Sequence, residues 1–378
     1  MEGPRAARLE ELPAVLALVN SIFPPPGQFT FRMELKYPLF LCEANLENIR
    51  VFSDQGRPVS VCSYYPERIQ IPDCSIPAAS IGAVCTEPAY RGQGLSTRLL
   101  DDVEGKASRE SIDLLLISGT RGLYLRRSCA IVGGFVHYDI SSNAGGLPFT
   151  VDEFSPTNLG AMADVYNREP ARFDRSRKQF ETLIQAGLTP DYNHTYRLYV
   201  THKNGRLTSY IVLRTIHDQP PRGVVVEYAG DRTDILAALG QIACQNGLPF
   251  IQLRAHVTDP LCTLLDQPDS PDVQEGVVKI LRPTAFMDAL QPFFELSAPG
   301  HPQIQVSEVS STGLFLQVGM ERLSIEDPLL LPRLVFGFPE EARAQEEQFF
   351  STLSPELKAI FRSAFPIPFP DARNLNYI

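Results

Sequence analysis

A glycine-rich turn between a strand-like and a helix-like run, residues 81–100, constrains the fold of this chain more than any other segment. The apolar run Ile81–Thr86 predicts a strand, Pro88 ends its pairing, and a helix is predicted to begin near Gly94. Gly92 and Gly94 allow a ligand to approach the backbone closely, which a side chain would prevent. The unpaired N–H groups and the dipole at such a helix N-terminus favour a bound pyrophosphate.

The residues around this turn predict a mixed α/β unit over residues 1–145. Leu95, Leu99, Leu100 and Val103 recur at helical spacing after the turn, which places them on one buried helix face. The predicted elements are a strand at 5–8, a helix at 9–22, strands at 49–53, 58–65, 68–72 and 78–85, a helix at 94–108, a strand at 113–118, a helix at 122–127 and a final strand at 134–140.

The turn itself resembles the acetyl-CoA loop of the GNAT superfamily of N-acetyltransferases, which reads Arg/Gln-x-x-Gly-x-Gly/Ala. Here it reads Arg-Gly-Gln-Gly-Leu-Ser, and the final serine departs from the pattern while staying small. A plain strand–turn–helix connection is the alternative, but the following strand and helix arrive in the family's order. The resemblance implies that acetyl-CoA is held as co-substrate by Arg91, Gly92, Gln93, Gly94, Leu95, Ser96 and Thr97, and by the backbone of Val84, Cys85 and Thr86 along the pantetheine arm.

A second segment, Gly122–Arg127, resembles the family's Tyr-x-Arg-x-Gly-Phe sequence. The resemblance implies that Tyr124 is the general acid that protonates the departing CoA thiolate. The alternative is that Tyr124 lies on a short helix and only packs into the protein core. Ser128 and Cys129 stand where the family has Gly-Phe, so the local turn departs from the pattern.

The rest of the chain predicts two further units, at residues 146–275 and 276–378. The second repeats the element order of the first, but its corresponding turn at 228–234 lacks the loop pattern, and Asp231 and Asp234 would repel a pyrophosphate. The third combines a helix through Phe294, two strands and a tail rich in proline and phenylalanine. This order resembles the enhanced-intracellular-survival acetyltransferases, which implies tandem GNAT folds, the second degenerate, followed by a small sterol-carrier-like α+β domain.

The general base is harder to place, because the predicted strand 78–84 contains no Asp or Glu. In the resembling family, the chain's own C-terminal carboxylate reaches the active site of the first domain. The tail from Phe365 to Ile378 is apolar and proline-rich, which suits a buried terminus better than a solvated one. We therefore expect the Ile378 carboxylate near Tyr124, with a tail that merely packs between domains as the alternative.

Composition sets the remaining expectations. The chain has 44 acidic and 34 basic residues and a net charge of −10, which argues against nucleic acid as a partner and suits an amine, although an ordinary acidic surface explains the charge equally well. Seven cysteines without a Cys-x-x-Cys pair, and six histidines without ligand spacing, predict no metal. The absence of a long apolar run and of a signal-peptide core predicts a cytoplasmic protein that does not contact membranes. A homo-oligomer is left open.

One basic segment, residues 172–178, stands out in this acidic chain and predicts a solvated helix face paired with nearby carboxylates. Together these features predict an N-acetyltransferase that moves an acetyl group from acetyl-CoA to a small-molecule or peptide amine by direct attack. The alternative is a non-catalytic protein that binds acyl-CoA as a regulatory ligand.

Overall fold

The fold is described from a computed structural model of the chain, for residues 1–23, 32–191, 193–300, 302–308 and 313–376. Strands and helices alternate in the first part of the chain as the hydrophobic pattern predicts. This part contains β1 (Glu2–Ala6), α1 (Leu12–Ile22), α2 (Met33–Lys36), β2 (Ile49–Asp54), β3 (Arg57–Ile71), β4 (Cys74–Thr86), α3 (Leu95–Arg109), β5 (Leu114–Ile117), α4 (Gly122–Leu125) and β6 (Phe135–Ser141).

The middle of the chain repeats this order, and the last part is richer in helix. The middle contains β7 (Thr150–Glu153), α5 (Leu159–Tyr166), β8 (Arg172–Phe173), α6 (Arg177–Gly187), β9 (His194–Lys203), β10 (Arg206–Ile216), β11 (Arg222–Gly230), α7 (Arg232–Gln245), β12 (Phe250–His256), α8 (Leu261–Leu264), β13 (Ser270–Asp272) and β14 (Val277–Ile280). The last part contains α9 (Pro283–Ala289), α10 (Gln291–Ser297), β15 (Ile304–Glu308), β16 (Leu314–Val318), β17 (Glu321–Ile325), α11 (Leu330–Phe336), α12 (Arg343–Ser351) and α13 (Pro355–Ala364).

Two mixed sheets form the body of the molecule. The first runs β1-β2-β3-β4-β5-β14, with β8 beside β3, and the second runs β13-β6-β12-β11-β10-β9-β7. In each sheet one parallel pair is joined by a crossover helix: α3 joins β4 to β5, and α7 joins β11 to β12. Helix α3 packs on the first sheet through the predicted stripe of Leu95, Leu99, Leu100 and Val103. The predicted α/β class with mixed sheets is confirmed.

The two sheets exchange strands, which the sequence does not reveal. The strand predicted at 134–140 as the end of the first unit forms as β6, but it pairs with β12 in the second sheet. In return β14, from the start of the predicted third unit, pairs antiparallel with β5 and completes the first sheet. An apolar pattern indicates that a strand is buried, but it does not indicate which strand pairs with its edge. The boundaries at 145/146 and 275/276 stay predictions; the first sheet crosses both of them, and the second sheet crosses the one at 145/146.

The third part packs on the first sheet. Its antiparallel strands β15-β16-β17 and helices α9 to α13 share one apolar core with β3, β4 and β5, in which Phe286, Phe336 and Phe361 are fully buried. The helix predicted from Arg282 through Phe294 is divided into α9 and α10 around Leu290. The segment predicted as a proline- and phenylalanine-rich tail contains α12 and α13. The likeness to sterol carrier proteins stays a prediction.

Across the described residues, no helix combines the length and the apolar character needed to cross a bilayer.

Candidate active site

The first sheet opens where β4 leaves β5. The paired residues of these strands end at Ile81 and Ile117, after which the Ser118 N–H donates to the Ile81 carbonyl (3.2 Å). Strand β4 then bulges, because three steps from Gly82 to Cys85 face two steps along β3, and Ala83 adopts a left-handed φ of +52°. The edge of β4 from Gly82 onward therefore faces a cleft instead of a neighbouring strand.

The glycine-rich loop follows this edge directly. Gly92 and Gly94 have φ values of +79° and +72°, a conformation that favours glycine. A Cβ at either position would meet no atom within 4 Å. The backbone conformation, and not crowding within the protein, therefore calls for glycine here, and the space beside both residues is open to a ligand.

Helix α3 begins without a side-chain cap. Gly94 is its N-cap residue, its first turn contains no acidic residue, and the first helical hydrogen bond runs from the Arg98 N–H to the Gly94 carbonyl (3.1 Å). The N–H groups of Leu95, Ser96 and Thr97 have no acceptor among the described residues. Together with the helix dipole, these donors make a site for an anion.

Two hydroxyl groups tie the loop to β4. Thr86 Oγ1 lies 2.9 Å from Ser96 Oγ and 2.7 Å from Ser60 Oγ, and Ser60 donates to the Cys85 carbonyl (3.0 Å). Ser96, which departs from the family pattern, thus joins the helix start to the strand. The side chains of Thr86 and Ser96 support the loop, while their backbones stay available to a ligand.

Two arginines flank the loop on its outer side. Arg91 is exposed and its Nε donates to the Thr86 carbonyl (3.2 Å), and the Arg98 guanidinium lies over the ring of Phe52 at 4.5 Å. Both therefore keep positive charge near the helix start.

Tyr124, on the short helix α4, is buried and borders the cleft. Burial raises the pKa of its hydroxyl to about 12, and the hydroxyl has no hydrogen-bond partner within the described part of the chain. A phenol with so high a pKa stays protonated at neutral pH and can donate a proton to a basic leaving group. Cys85 is also buried, and burial raises the pKa of its thiol to about 12, so it is a poor nucleophile.

The cleft has a volume of about 730 Å³ and lies between the open edge of the first sheet and the face of the second. Of the predicted site residues it brings together Val84 and Tyr124, whereas Cys85, Thr86 and loop residues 91–97 do not line it. Its walls include Ala83, Val84, Ser118, Gly119, Arg121 and Tyr124 from the first part, Lys36 from α2, Tyr196, Arg214, Val224 and Gln252 from the second sheet, and Asp371, Arg373, Asn374 and Leu375 from the C-terminal segment.

This geometry agrees with the comparison to known families. A family model described as an acetyltransferase (GNAT) domain matches residues 4–131. This part of the chain is a GNAT acetyltransferase domain. The protein is accordingly an acyltransferase, and its donor is an acyl-CoA.

Solved structures extend the likeness to nearly the whole chain. The GCN5-related N-acetyltransferase from Anabaena variabilis matches with a TM-score of 0.67 and 14% identity over 97% of both chains. A probable N-acyltransferase from Enterococcus faecalis matches with a TM-score of 0.64 and 15% identity over 97% of this chain and 96% of its own. Eis1 from Mycobacterium abscessus matches with a TM-score of 0.64 and 13% identity over 96% of both chains. At these identities the likeness establishes a shared fold. A comparison with curated protein sequences gives no match.

The second sheet repeats the GNAT topology but closes the corresponding anion site. Helix α7 has Asp231 as its N-cap, and this carboxylate accepts a hydrogen bond from the Asp234 N–H (2.9 Å). Glu169 accepts another from the Gly230 N–H (2.7 Å) and is paired with Arg232 (2.6 Å). Carboxylates of the protein thus bind one N–H group in the first turn of α7 and one just before it, where α3 of the GNAT domain has no acidic residue. This supports the prediction that the second fold does not bind CoA.

The C-terminal segment is anchored between the two sheets, although Ile378 itself lies outside the described residues. Arg175 Nε donates to Asn376 Oδ1 (2.5 Å), and Asn376 Nδ2 donates to Glu67 Oε2 on β3 (3.1 Å). The Leu375 N–H donates to Glu227 Oε2 on β11 (3.3 Å). The last described residues therefore lie beside the cleft that contains Tyr124 of the GNAT domain.

Arg175 corrects the expectation of a solvated basic face at 172–178. Its side chain is 1% exposed and forms two hydrogen bonds with Glu227, at 2.7 and 3.0 Å. Tyr210 donates to the same carboxylate (2.7 Å), and the guanidinium lies over the ring of Tyr166. The arginine is buried because it is fully paired, and it fixes the C-terminal segment.

Several residues of the cleft are missing from the sequence-based site. Lys36 lies in the GNAT domain but outside its motifs, and Tyr196 and Arg214 come to the cleft only because the second sheet packs against that domain. Arg214, a charged residue inside an apolar strand run, was the one signal available in the sequence. No group of three or more His, Cys, Asp or Glu side chains in the described ranges is arranged to hold a metal ion.

Proposed function

We propose that this protein is an N-acetyltransferase that moves an acetyl group from acetyl-CoA to an amine by direct attack in a ternary complex. The observation that carries the proposal is the uncapped start of α3, placed beside the open edge of β4 and the buried hydroxyl of Tyr124. These are a phosphate site, a strand edge for an extended arm, and a proton donor, in the order in which CoA would meet them.

Acetyl-CoA would lie with its pyrophosphate at residues 91–97 and its pantetheine arm along Val84, Cys85 and Thr86. The N–H groups at the start of α3 hold the phosphate oxygens. The amides of the pantetheine arm form hydrogen bonds with the open edge of β4, as a neighbouring strand would. Because the strand edge leads from the loop into the cleft, the thioester arrives near Tyr124.

The acceptor amine would enter the cleft and attack the thioester carbonyl. Backbone N–H groups at the β4 bulge polarise this carbonyl and stabilise the developing oxyanion. Collapse of the tetrahedral intermediate breaks the C–S bond, and Tyr124 gives its proton to the thiolate. The ammonium proton of the attacking amine must leave to a base. Cys85 takes no covalent part, since its thiol stays protonated.

The base in this proposal is the carboxylate of Ile378. Asn376 is held beside Glu67 and Arg175, so two further residues span at most about 7 Å from that point. A carboxylate within that reach of the cleft wall would orient the amine and accept its proton, directly or through water.

The test is acetyl-CoA binding and amine-dependent thiol release by the wild type and by Gly94→Asp. Acetyl-CoA should raise the melting temperature of the wild type, because it binds only the folded state. The Asp variant should lose both the shift and turnover, since its carboxylate would lie among the phosphates. Gly205→Asp is the matched control: Gly205 also has a left-handed φ (+74°) and open surroundings, but it lies in the hairpin between β9 and β10.

Two outcomes would count against the proposal. A folded Gly94→Asp protein that still responds to acetyl-CoA as the wild type does would show that the loop assignment is wrong. Tight acetyl-CoA binding with no thiol release for any amine in a broad library would favour a regulatory acyl-CoA-binding protein instead.

A further inference from the structure

A row of four residues crosses the second sheet and forms one wall of the cleft. Tyr196 on β9 is directly opposite Arg214 on β10, Arg214 is opposite Val224 on β11, and Val224 is opposite Gln252 on β12. Residues in such a row lie on one face of a sheet at intervals of about 4.8 Å. All four border the cleft, so Arg214 projects into it from the middle of a fixed surface.

Arg214 has no Asp or Glu partner among the described residues. No acidic side chain there lies within 4.0 Å of its guanidinium, and the segments outside them contain no Asp or Glu, although the carboxylate of Ile378 lies in one of them. Its Nε is buried and makes no hydrogen bond. A buried guanidinium donor without an acceptor is costly, so the site favours a ligand that supplies one.

Lys36 adds a second positive charge at the same wall. Its ammonium lies 4.0 Å from the centre of the Tyr196 ring and 2.8 Å from Asp191. Burial lowers the pKa of Lys36, and the nearby charge of Arg214 lowers it further. Asp191 is shared, since it also accepts from the Tyr196 hydroxyl (3.0 Å) and lies 2.8 Å from His194 Nδ1. Asp191 is thus the carboxylate that pairs with Lys36, and it forms no ion pair with Arg214.

The cations on β12 and on the C-terminal segment are paired. Arg254 is paired with Asp272 (2.5 Å) and with Asp371, and Arg373 is paired with Glu275 (2.6 Å). The cleft as a whole is lined by five cationic side chains and three carboxylates, which are Lys36, Arg121, Arg214, Arg254 and Arg373 against Asp191, Glu275 and Asp371. Among the described lining side chains, cations therefore outnumber carboxylates, although the chain as a whole has a net charge of −10.

We propose that the acceptor carries an oxyanion in addition to its reacting amine, and that Arg214, with Lys36 beside it, binds this oxyanion. The inference rests on the proposed N-acetyltransferase function and names its substrate class. The planar guanidinium suits a carboxylate or a phosphoryl group, which it can hold through two parallel hydrogen bonds. Acceptors with a second cationic group are disfavoured, because they would face Arg214 and Lys36 without enough carboxylate to pair them.

The test is a matched series of amines that differ only in the group at the end opposite the reacting amine. The series comprises aminohexanoate, its carboxamide, diaminohexane and aminopentylphosphonate, with shorter homologues of each. Wild-type kcat/KM should be about tenfold or more higher for the carboxylate or phosphonate than for the carboxamide, and lowest for the diamine. These two anionic compounds distinguish the sources of the oxyanion. Arg214→Gln should bring the ratio of carboxylate to carboxamide close to one through a higher KM for the carboxylate, and Arg214→Lys should restore part of the ratio.

The control is Arg222→Gln, at a half-exposed arginine on β11 that is paired with Asp218 outside the cleft; it should leave the ratio unchanged. Equal kcat/KM for carboxylate and carboxamide in the wild type, a preference for the diamine, or an unchanged ratio in Arg214→Gln would each overturn the inference while leaving the acetyltransferase proposal intact. Acetyl-CoA binding without acetylation of any amine would instead overturn the proposed function and this inference with it.

Discussion

Burial decides which single residues of the GNAT domain can take part in chemistry. Tyr124 borders the cleft, Cys85 follows the cleft residue Val84 on β4, and burial raises the pKa of each to about 12. A phenol with such a pKa is protonated at neutral pH and can act as a proton donor. A thiol with such a pKa is an inert side chain. The same physical effect is therefore compatible with the proposed proton donation by Tyr124 and argues against nucleophilic attack by Cys85.

Replacing Tyr124 by phenylalanine tests that role. The ring stays packed against α3 and β5, so folding and acetyl-CoA binding should be close to those of the wild type. Loss of the proton donor should lower kcat by about 100-fold or more, the usual range for general-acid catalysis. Steady-state kinetics beside a CoA titration separates the two effects. Wild-type turnover in Tyr124→Phe would leave the tyrosine with a packing role alone.

Glu67 makes stability depend on pH. Burial raises its pKa from an ordinary value of 4.5 to about 7, against the opposing hydrogen bonds from Ser80 and Asn376. The folded state thus holds a proton that the unfolded state releases between about pH 4.5 and 7. The contribution of Glu67 to stability is therefore full below about pH 4.5 and is lost as the pH rises toward 7.

We expect the free energy of unfolding to fall between about pH 5 and pH 8 in the wild type by more than in Glu67→Gln, which has no proton to lose there. Denaturant titrations at both pH values measure this difference. Parallel pH dependence in the two proteins would show that Glu67 does not titrate in this range.

At the scale of elements, the starts of α3 and α7 show how one topology gives two outcomes. Both helices follow a strand and cross over to its parallel neighbour, but Gly94 leaves the donors of α3 open, whereas Asp231 caps α7. This difference is readable in the sequence, because glycine and aspartate at an N-cap have opposite consequences for a bound anion. The GNAT motif and the helix stripe were therefore predictable.

The cap on α7 should contribute to stability and not to cofactor binding. Asp231→Ala removes the acceptor for the Asp234 N–H and should lower the free energy of unfolding by about 1 kcal/mol. Asp231→Asn keeps a capping oxygen and should recover most of this loss. Urea unfolding measures both, and acetyl-CoA affinity should match the wild type throughout. A loss of acetyl-CoA affinity in Asp231→Ala would contradict the prediction that the second fold does not bind CoA.

Other elements were less predictable because their partners are distant in sequence. The strand at β6 was expected and formed, but its neighbour is β12, and nothing in the alternation of apolar residues specifies that choice. The helices α12 and α13 lie in a segment whose prolines and phenylalanines suggested an irregular tail. Arg175 is buried because Glu227 and Tyr210, from two other strands, happen to meet it. Long-range packing, and not local pattern, sets all three.

For the whole molecule, the C-terminal segment contacts both sheets. The hydrogen bonds of Asn376 to Glu67 and Arg175 hold the last described residues beside the cleft, so in the proposed mechanism the reach of the Ile378 carboxylate depends on both sheets. The sequence suggested a buried terminus, but it could not show which residues hold it.

Adding Gly-Ser after Ile378 moves that carboxylate while the anchors stay in place. If the carboxylate is the base, kcat should fall by about tenfold or more while acetyl-CoA binding is unchanged. The same dipeptide added before Met1 is the matched control. An extended protein that folds, binds acetyl-CoA and turns over at the wild-type rate would exclude a catalytic part for the terminus.

The exchange of β6 and β14 also bears on how a cell makes this protein. A ribosome releases the N-terminal part first, yet the apolar edge of β5, Leu114–Ile117, acquires its second neighbour only when Val277–Ile280 has emerged. Meanwhile β6 is already made and has to wait for β12. An unpaired strand edge invites pairing with other nascent chains. The first sheet can therefore be finished only after every strand of the second sheet has been made, and quality control in the cell has to treat the first 280 or so residues as a single unit.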